Sequence, residues 1–248
     1  MWYHKRIIPL RRSKLLKKIF FVLSAILFIQ TNLFAVTVTE LIDTPTYSIL
    51  DYGSYEMQFR IFNNGGVTSK ISFGIFKALN LGVSWELSNI VGVGNTVVAI
   101  PALQIKLNVY EGDAKFPGVA VGYDGQGFFY NDSNSEFLQK GKGIYTVIGK
   151  ELLLPGLNFN LGLNVNDFKE VRLLGFVGSS YSIVDDSFLA MFEYDNIGKG
   201  ADARLNLGFK LWATENFGID FILRNILTGD EERFGCERIL RLSYYGRF

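Results

Sequence analysis

"RILRLSYYGRF", residues 238–248, alternates apolar and polar side chains. Leu240, Leu242, Tyr244 and Phe248 share one parity; Arg241, Ser243, Tyr245 and Arg247 share the other. A period of two sends alternate side chains to opposite faces, so this is a strand with one apolar face. It runs to the last residue of the sequence, where chains usually fray, so the terminus is expected to be a working part of a sheet.

The same alternation fills the chain from about residue 53. "YEMQFRIF" sets Tyr55, Met57, Phe59 and Ile61 against Glu56, Gln58 and Arg60. "ARLNLGFKL" sets Leu205, Leu207, Phe209 and Leu211 against Arg204, Asn206, Gly208 and Lys210. With comparable segments near 69, 81, 103, 118, 143, 157, 171, 187 and 217 and the terminal one, about 12 strands are predicted, of which 143–150 and 171–183 are the least regular. The 22 Phe, 12 Tyr and 26 Gly against 5 Pro suit strands joined by turns.

Periodicity alone leaves two architectures. A soluble sandwich or barrel turns the apolar face inward, with room for an apolar ligand; a membrane barrel turns it to lipid and lines its lumen with the polar face. Three features select the membrane barrel. Connectors alternate between short (77–80, 111–115, 152–156, 184–186, 213–216) and mostly longer, polar ones (63–66, 88–101, 126–142, 166–170, 196–202, 226–236). The strand count is even. The minority face carries both charge signs among many Gly, and the candidate lumen residues are Arg60, Lys70, Glu86, Lys106, Asp124, Glu193, Arg204, Lys210, Asp220 and Arg224. On this assignment Arg at Phe209 should be costly and Arg at Asn206 much less so.

Residues 1–35 have the layout of a cleaved export signal: seven basic residues up to Lys18, the apolar run Ile19–Ile29, and a small residue at Ala35. The apolar run is shorter than the roughly 20 residues of a transmembrane helix. Cleavage leaves 18 basic against 24 acidic residues, hence no basic footprint for nucleic acid. Residues 36–52 form a periplasmic lead-in, read as a short arm, an inward plug or a simple approach to the barrel at 53–248.

The terminal strand resembles the C-terminal signature of outer-membrane barrel proteins. That likeness implies recognition by the barrel-assembly machinery through Leu240, Leu242, Tyr244 and Phe248, and surroundings of outer-membrane lipid. "PALQIKLNVYEGDAKFPGVAVGYDGQGFFY" (101–130), with "FNNGGV" (62–67) and "LNLGVSWELSN" (79–89), resembles the YjbH-like group of outer-membrane barrels. That resemblance implies an association with exopolysaccharide production and no catalytic residues. The chain departs from the group's larger lipoproteins in its length and in having no Cys at the signal boundary.

Chemistry is sparse. The only His, His4, lies in the signal, so a Ser–His hydrolase of the outer-membrane phospholipase kind is closed to the mature chain. Its single Cys, Cys236, forms no internal disulfide, and no cofactor or His/Cys metal motif is present. "IVGVGNT" (90–96) lacks the P-loop Lys. Asp124, Asp132 and Glu136, and separately Asp230, Glu231 and Glu232, are weak calcium candidates. Glu86 and Asp124 are a weak catalytic pair. The expectation is therefore a non-enzymatic outer-membrane barrel, either a narrow channel or a structural or surface-assembly component, with an occluded lumen favoured; a soluble apolar-ligand carrier or a barrel enzyme is the alternative.

Overall fold

The computed structural model describes residues 38–90, 95–152, 154–169, 171–184, 187–227 and 235–248. The expected signal at 1–35, most of "IVGVGNT", and Asp230, Glu231 and Glu232 lie outside these residues. Alternation builds β1 (Ser54–Phe62), β2 (Gly66–Phe76), β3 (Leu79–Ser88), a short β4 (Val97–Val98), β5 (Ala102–Tyr110) and β6 (Gly118–Asp124). A separate hairpin follows, β7 (Phe128–Asn131) with β8 (Glu136–Gln139). Next come β9 (Gly143–Glu151), β10 (Leu157–Val165), β11 (Leu174–Val184) and β12 (Phe188–Ile197). The chain finishes with β13 (Arg204–Thr214), β14 (Phe217–Arg224) and β15 (Glu237–Arg247).

All of these except β7 and β8 join into one antiparallel sheet; β4 is a two-residue addition to the end of β3, and the other twelve run up and down and close into a barrel through the β1–β15 and β2–β3 pairings. Closure leaves no barrel-strand edge unpaired, as hydrocarbon requires. Most strands run nine to eleven residues, the length that crosses a bilayer when tilted. Register shifts at Gly74/Phe76, Asn108/Tyr110, Ser182/Val184 and Trp212/Thr214 all lie at the short-turn rim, where bulges let strands curl.

The outer face is apolar and exposed: Phe221 is 59% exposed and Leu103 63%. The inner face is polar and buried: Asp220 and Arg224 are both at 0%. This inverts a soluble core and makes the fold a transmembrane barrel. The C-terminal aromatics belong to the short-turn rim. Phe248 packs edge-on against Phe73 at 6.2 Å between centroids, Tyr244 lies 6.3 Å from Tyr55, and the Phe248 N–H donates to the Gly53 carbonyl at 2.8 Å.

Two strands depart from the simple rule. Tyr145 and Val147 of β9 and Leu174 and Phe176 of β11 point inward and are buried, while Ile144, Ile148 and Tyr181 face out. Both faces are apolar there, which blurs the period at 143–150 and 171–183. The first three residues of the latter stretch belong to the connector, since β11 starts at Leu174. Their inward rings have specific places. Tyr145 covers its cross-strand partner Gly122, and Phe176 covers Gly162; a Cβ on either glycine would collide with the ring.

Candidate functional site: the charged lumen

The lumen is filled by two elements from opposite ends. From the short-turn rim, where Gly53 and Gly74 are hydrogen-bonded, residues 38–52 run inward and double back. An isolated bridge joins Glu40 to Pro45, and the Leu41 N–H donates to the Thr44 carbonyl at 2.9 Å, making a tight turn. The described part of the lead-in thus adopts the inward-plug form. From the long-loop end, the β7–β8 hairpin dips toward it.

The tip of the turn is held by one carboxylate. Glu193, fully buried on β12, accepts the N–H groups of Ile42 (2.8 Å), Asp43 (2.9 Å) and Thr44 (2.9 Å) and the Thr44 hydroxyl (2.7 Å). The Asn206 amide also donates to it at 2.8 Å. Leu41 and Ile42 then bury against Met191, Ile222 and Ile239 in an apolar cluster inside the barrel.

The segment lies on a bed of glycines. A Cβ at Gly178 would strike Leu41, at Gly118 or Gly149 the Tyr47 ring, and at Gly74 the backbone of Leu50 and Asp51. The inward glycines, seen in the sequence only as part of a mixed polar face, mark where the segment presses against the wall.

Two acidic residues of the segment meet five wall cations. Asp43 pairs with Arg60 at 2.7 Å and Arg224 at 2.5 Å, with Arg204 at 3.9 Å. Glu40 pairs with Lys70, and with Arg241 at 3.3 Å. The wall continues the alternation of charge. Arg204 reaches Asp195 at 2.7 Å, and Asp195 pairs with Lys142. Arg224 reaches Glu237, and Arg241 reaches Asp220, which has Lys210 at 3.6 Å. Burial alone would raise the Glu40 carboxyl, but Lys70 and then Arg241 outweigh it and hold it at about 2. For Asp43, burial is likewise overcome, by Arg224, Arg60 and Arg204, which hold its carboxyl well below the usual range.

The hairpin caps the same cations. The Phe128 ring lies 4.1 Å from the Arg224 guanidinium and 4.6 Å from that of Arg60, and the Gln139 side-chain Oε1 accepts from Arg204 at 2.8 Å and from Arg224 at 2.5 Å. The Tyr130 N–H donates to Glu86 at 3.1 Å. Between segment, hairpin and wall a cavity of ≈ 50 Å³ remains, room for a few waters.

Of the ten residues singled out from the sequence, Arg60, Glu86, Lys106, Glu193, Arg204, Lys210, Asp220 and Arg224 are buried inside the barrel. Lys70 and Asp124 line the remaining cavity. Lys106 donates to the Thr39 carbonyl at 2.6 Å. Glu86 and Asp124 are not brought together as a pair: each is engaged separately, Glu86 by Tyr130 and Asp124 by the Gln126 N–H at 2.9 Å. Asp124 faces the lumen, whereas Asp132 and Glu136 are exposed on the hairpin. Sequence reasoning passed over Glu40, Asp43, Lys142, Asp195, Glu237 and Arg241. Arg241 sits on the polar parity of the terminal strand, and "ELIDTP" (40–45) has the acid–apolar–apolar–acid spacing with a following Pro that a turn uses.

No family model matches the chain, and no curated protein does. Among solved structures, the KdgM porin in complex with disordered oligogalacturonate is similar with a TM-score of 0.51 at 11% identity, covering 79% of this chain and 99% of that one. The NanC porin is similar with a TM-score of 0.43 at 9% identity, over 78% of this chain and 99% of that one. The likeness to the KdgM porin is one of fold, a closed antiparallel transmembrane β-barrel. These matches lend no support to the YjbH-like resemblance.

Proposed function

We propose that the protein is a non-enzymatic channel of the bacterial outer membrane, closed in this conformation by its own residues 38–52. The observation that carries the reading is the combination of an apolar exterior with a lumen in which five wall cations meet Glu40 and Asp43 of the inserted segment. A barrel meant only as a rigid anchor has no need of a separable acidic insert; apolar side chains fill small barrels well. The porin-like architecture supports the same conclusion. Export through a cleaved signal and insertion by the assembly machinery, reading Leu240, Leu242, Tyr244 and Phe248, complete the proposal. An exopolysaccharide role rests on the resemblance of 62–67, 79–89 and 101–130 alone, and the closed lumen speaks for gated passage of small solutes instead.

Single-channel recording of the refolded chain in a planar bilayer tests this. The unaltered chain should insert and stay mostly closed. Gly178→Leu, which drives a side chain into the space of Leu41, should give discrete, reproducible current steps. Insertion without steps in either form would favour a barrel that works through its outer loops. A chain that remains soluble without detergent would overturn the membrane assignment.

A further inference from the structure

Resting on the channel reading, we propose that the cluster Arg60, Lys70, Arg204, Arg224 and Arg241 is a binding site for solutes bearing several carboxylates, which Glu40 and Asp43 fill as a tethered ligand in the closed barrel. The five cations lie on β1, β2, β13, β14 and β15, contiguous strands of one wall. Arg204, Arg224 and Arg241 each have a wall carboxylate as well. Arg60 and Lys70 do not: among the described residues, the carboxylates within ion-pair distance of them are Asp43 and Glu40. When the segment leaves, Arg60 and Lys70 lose their direct ion-pair partners, and the wall carboxylates nearest them are Glu86 for Arg60 and Asp124 and Glu56 for Lys70.

A second observation points to an anionic guest. Nε and Nη2 of Arg60 and Nε of Arg204 are buried without a hydrogen-bond partner, and both guanidinium groups border the remaining cavity. Buried guanidinium donors are costly to leave unmade, so the site has donor capacity beyond what the segment uses. Guanidinium forks match carboxylates in pairs, which favours a polycarboxylate over a simple halide. The two segment carboxylates are the part of the seating that an incoming anion competes with directly, while Leu41, Ile42 and the Glu193 hydrogen bonds hold the turn itself.

Titration calorimetry with citrate, on the full chain folded in detergent, tests the site without requiring conductance. Glu40→Gln with Asp43→Asn should bind citrate at least tenfold more tightly than the unaltered chain, and adding Arg60→Gln and Lys70→Gln should abolish that gain. Equal binding by the unaltered chain, or binding that survives the loss of Arg60 and Lys70, would overturn the proposal. The unaltered chain gives a second arm should the neutralised variant not fold. Citrate should speed hydrogen exchange at the amides of 42–44 several-fold, while sodium chloride at equal ionic strength should not; no acceleration by citrate would also overturn it. Silent bilayers with citrate binding intact would retire the channel reading and leave the site standing.

Discussion

At the scale of the residue, the two faces of a strand differ in what they tolerate. Phe209 is 49% exposed on the outer face, and Phe209→Arg should cost about 2–4 kcal/mol near the bilayer midplane, read from denaturant unfolding in lipid vesicles. The sequence suggests that Arg at the neighbouring Asn206 is cheap. The structure alters that expectation. Asn206 is fully buried, its amide donates to Glu193, and its carbonyl accepts the Asn225 N–H at 2.8 Å. Asn206→Arg should therefore destabilise the barrel about as much as Phe209→Arg; a neutral result in the same unfolding experiment would mean that Asn206 does not hold this place. Glu193 offers a cleaner test. Its hydrogen bonds to three successive amides are charge-assisted, each worth about 1.5–3 kcal/mol. Glu193→Gln should raise hydrogen exchange at 42–44 by at least tenfold and leave the strand amides protected. Unchanged exchange at 42–44 would show that Glu193 does not anchor the turn. Alternation identified both Glu193 and Arg224 as inward. It said nothing of the partners that reach them from 42–44, because that segment has no period.

At the scale of the element, residues 38–52 are the part least legible from sequence. They are too short to carry a period and owe their conformation to the wall around them. The trace they leave is indirect: inward glycines on several strands. Gly74→Val meets the backbone of Leu50 and Asp51, and Gly149→Val meets the Tyr47 ring. Either change should free the segment, seen as protease cleavage within 38–50 of an otherwise resistant barrel; protection equal to the unaltered chain would contradict the seating described. Acid provides a graded version. The Glu40 carboxyl lies near 4.5 when free and about 2 when seated. A depressed value stabilises the seated form fully above about 4.5, progressively less as the pH falls, and not at all below about 2. Cleavage should therefore stay low down to about pH 4 and rise only towards pH 2, whereas release already complete at pH 4 would mean that these ion pairs do not hold the segment.

At the scale of the whole molecule, the barrel itself was readable: strand number, antiparallel order, alternating connector lengths and inward charges all follow from period two and turn chemistry. The exceptions have one cause. Strands β9 and β11 place Tyr145, Val147, Leu174 and Phe176 inward, against Ala120 and over glycines, so an apolar patch inside the lumen hid their polarity. The hairpin at 128–139 was read as an outer loop because loops there are long and polar; its inward fold depends on Phe128 meeting Arg60 and Arg224, a contact set by three-dimensional closure.

Residues 38–52 occupy the lumen of the closed barrel. Thiol labelling checks that placement. In a Cys236→Ser background, which removes the exposed native thiol, Ile42→Cys places a single thiol where Ile42 is 1% exposed. In the folded barrel a bulky water-soluble maleimide should label it at least a hundredfold more slowly than in the unfolded chain. Labelling at equal rates in both states would put the segment outside the lumen and contradict the account.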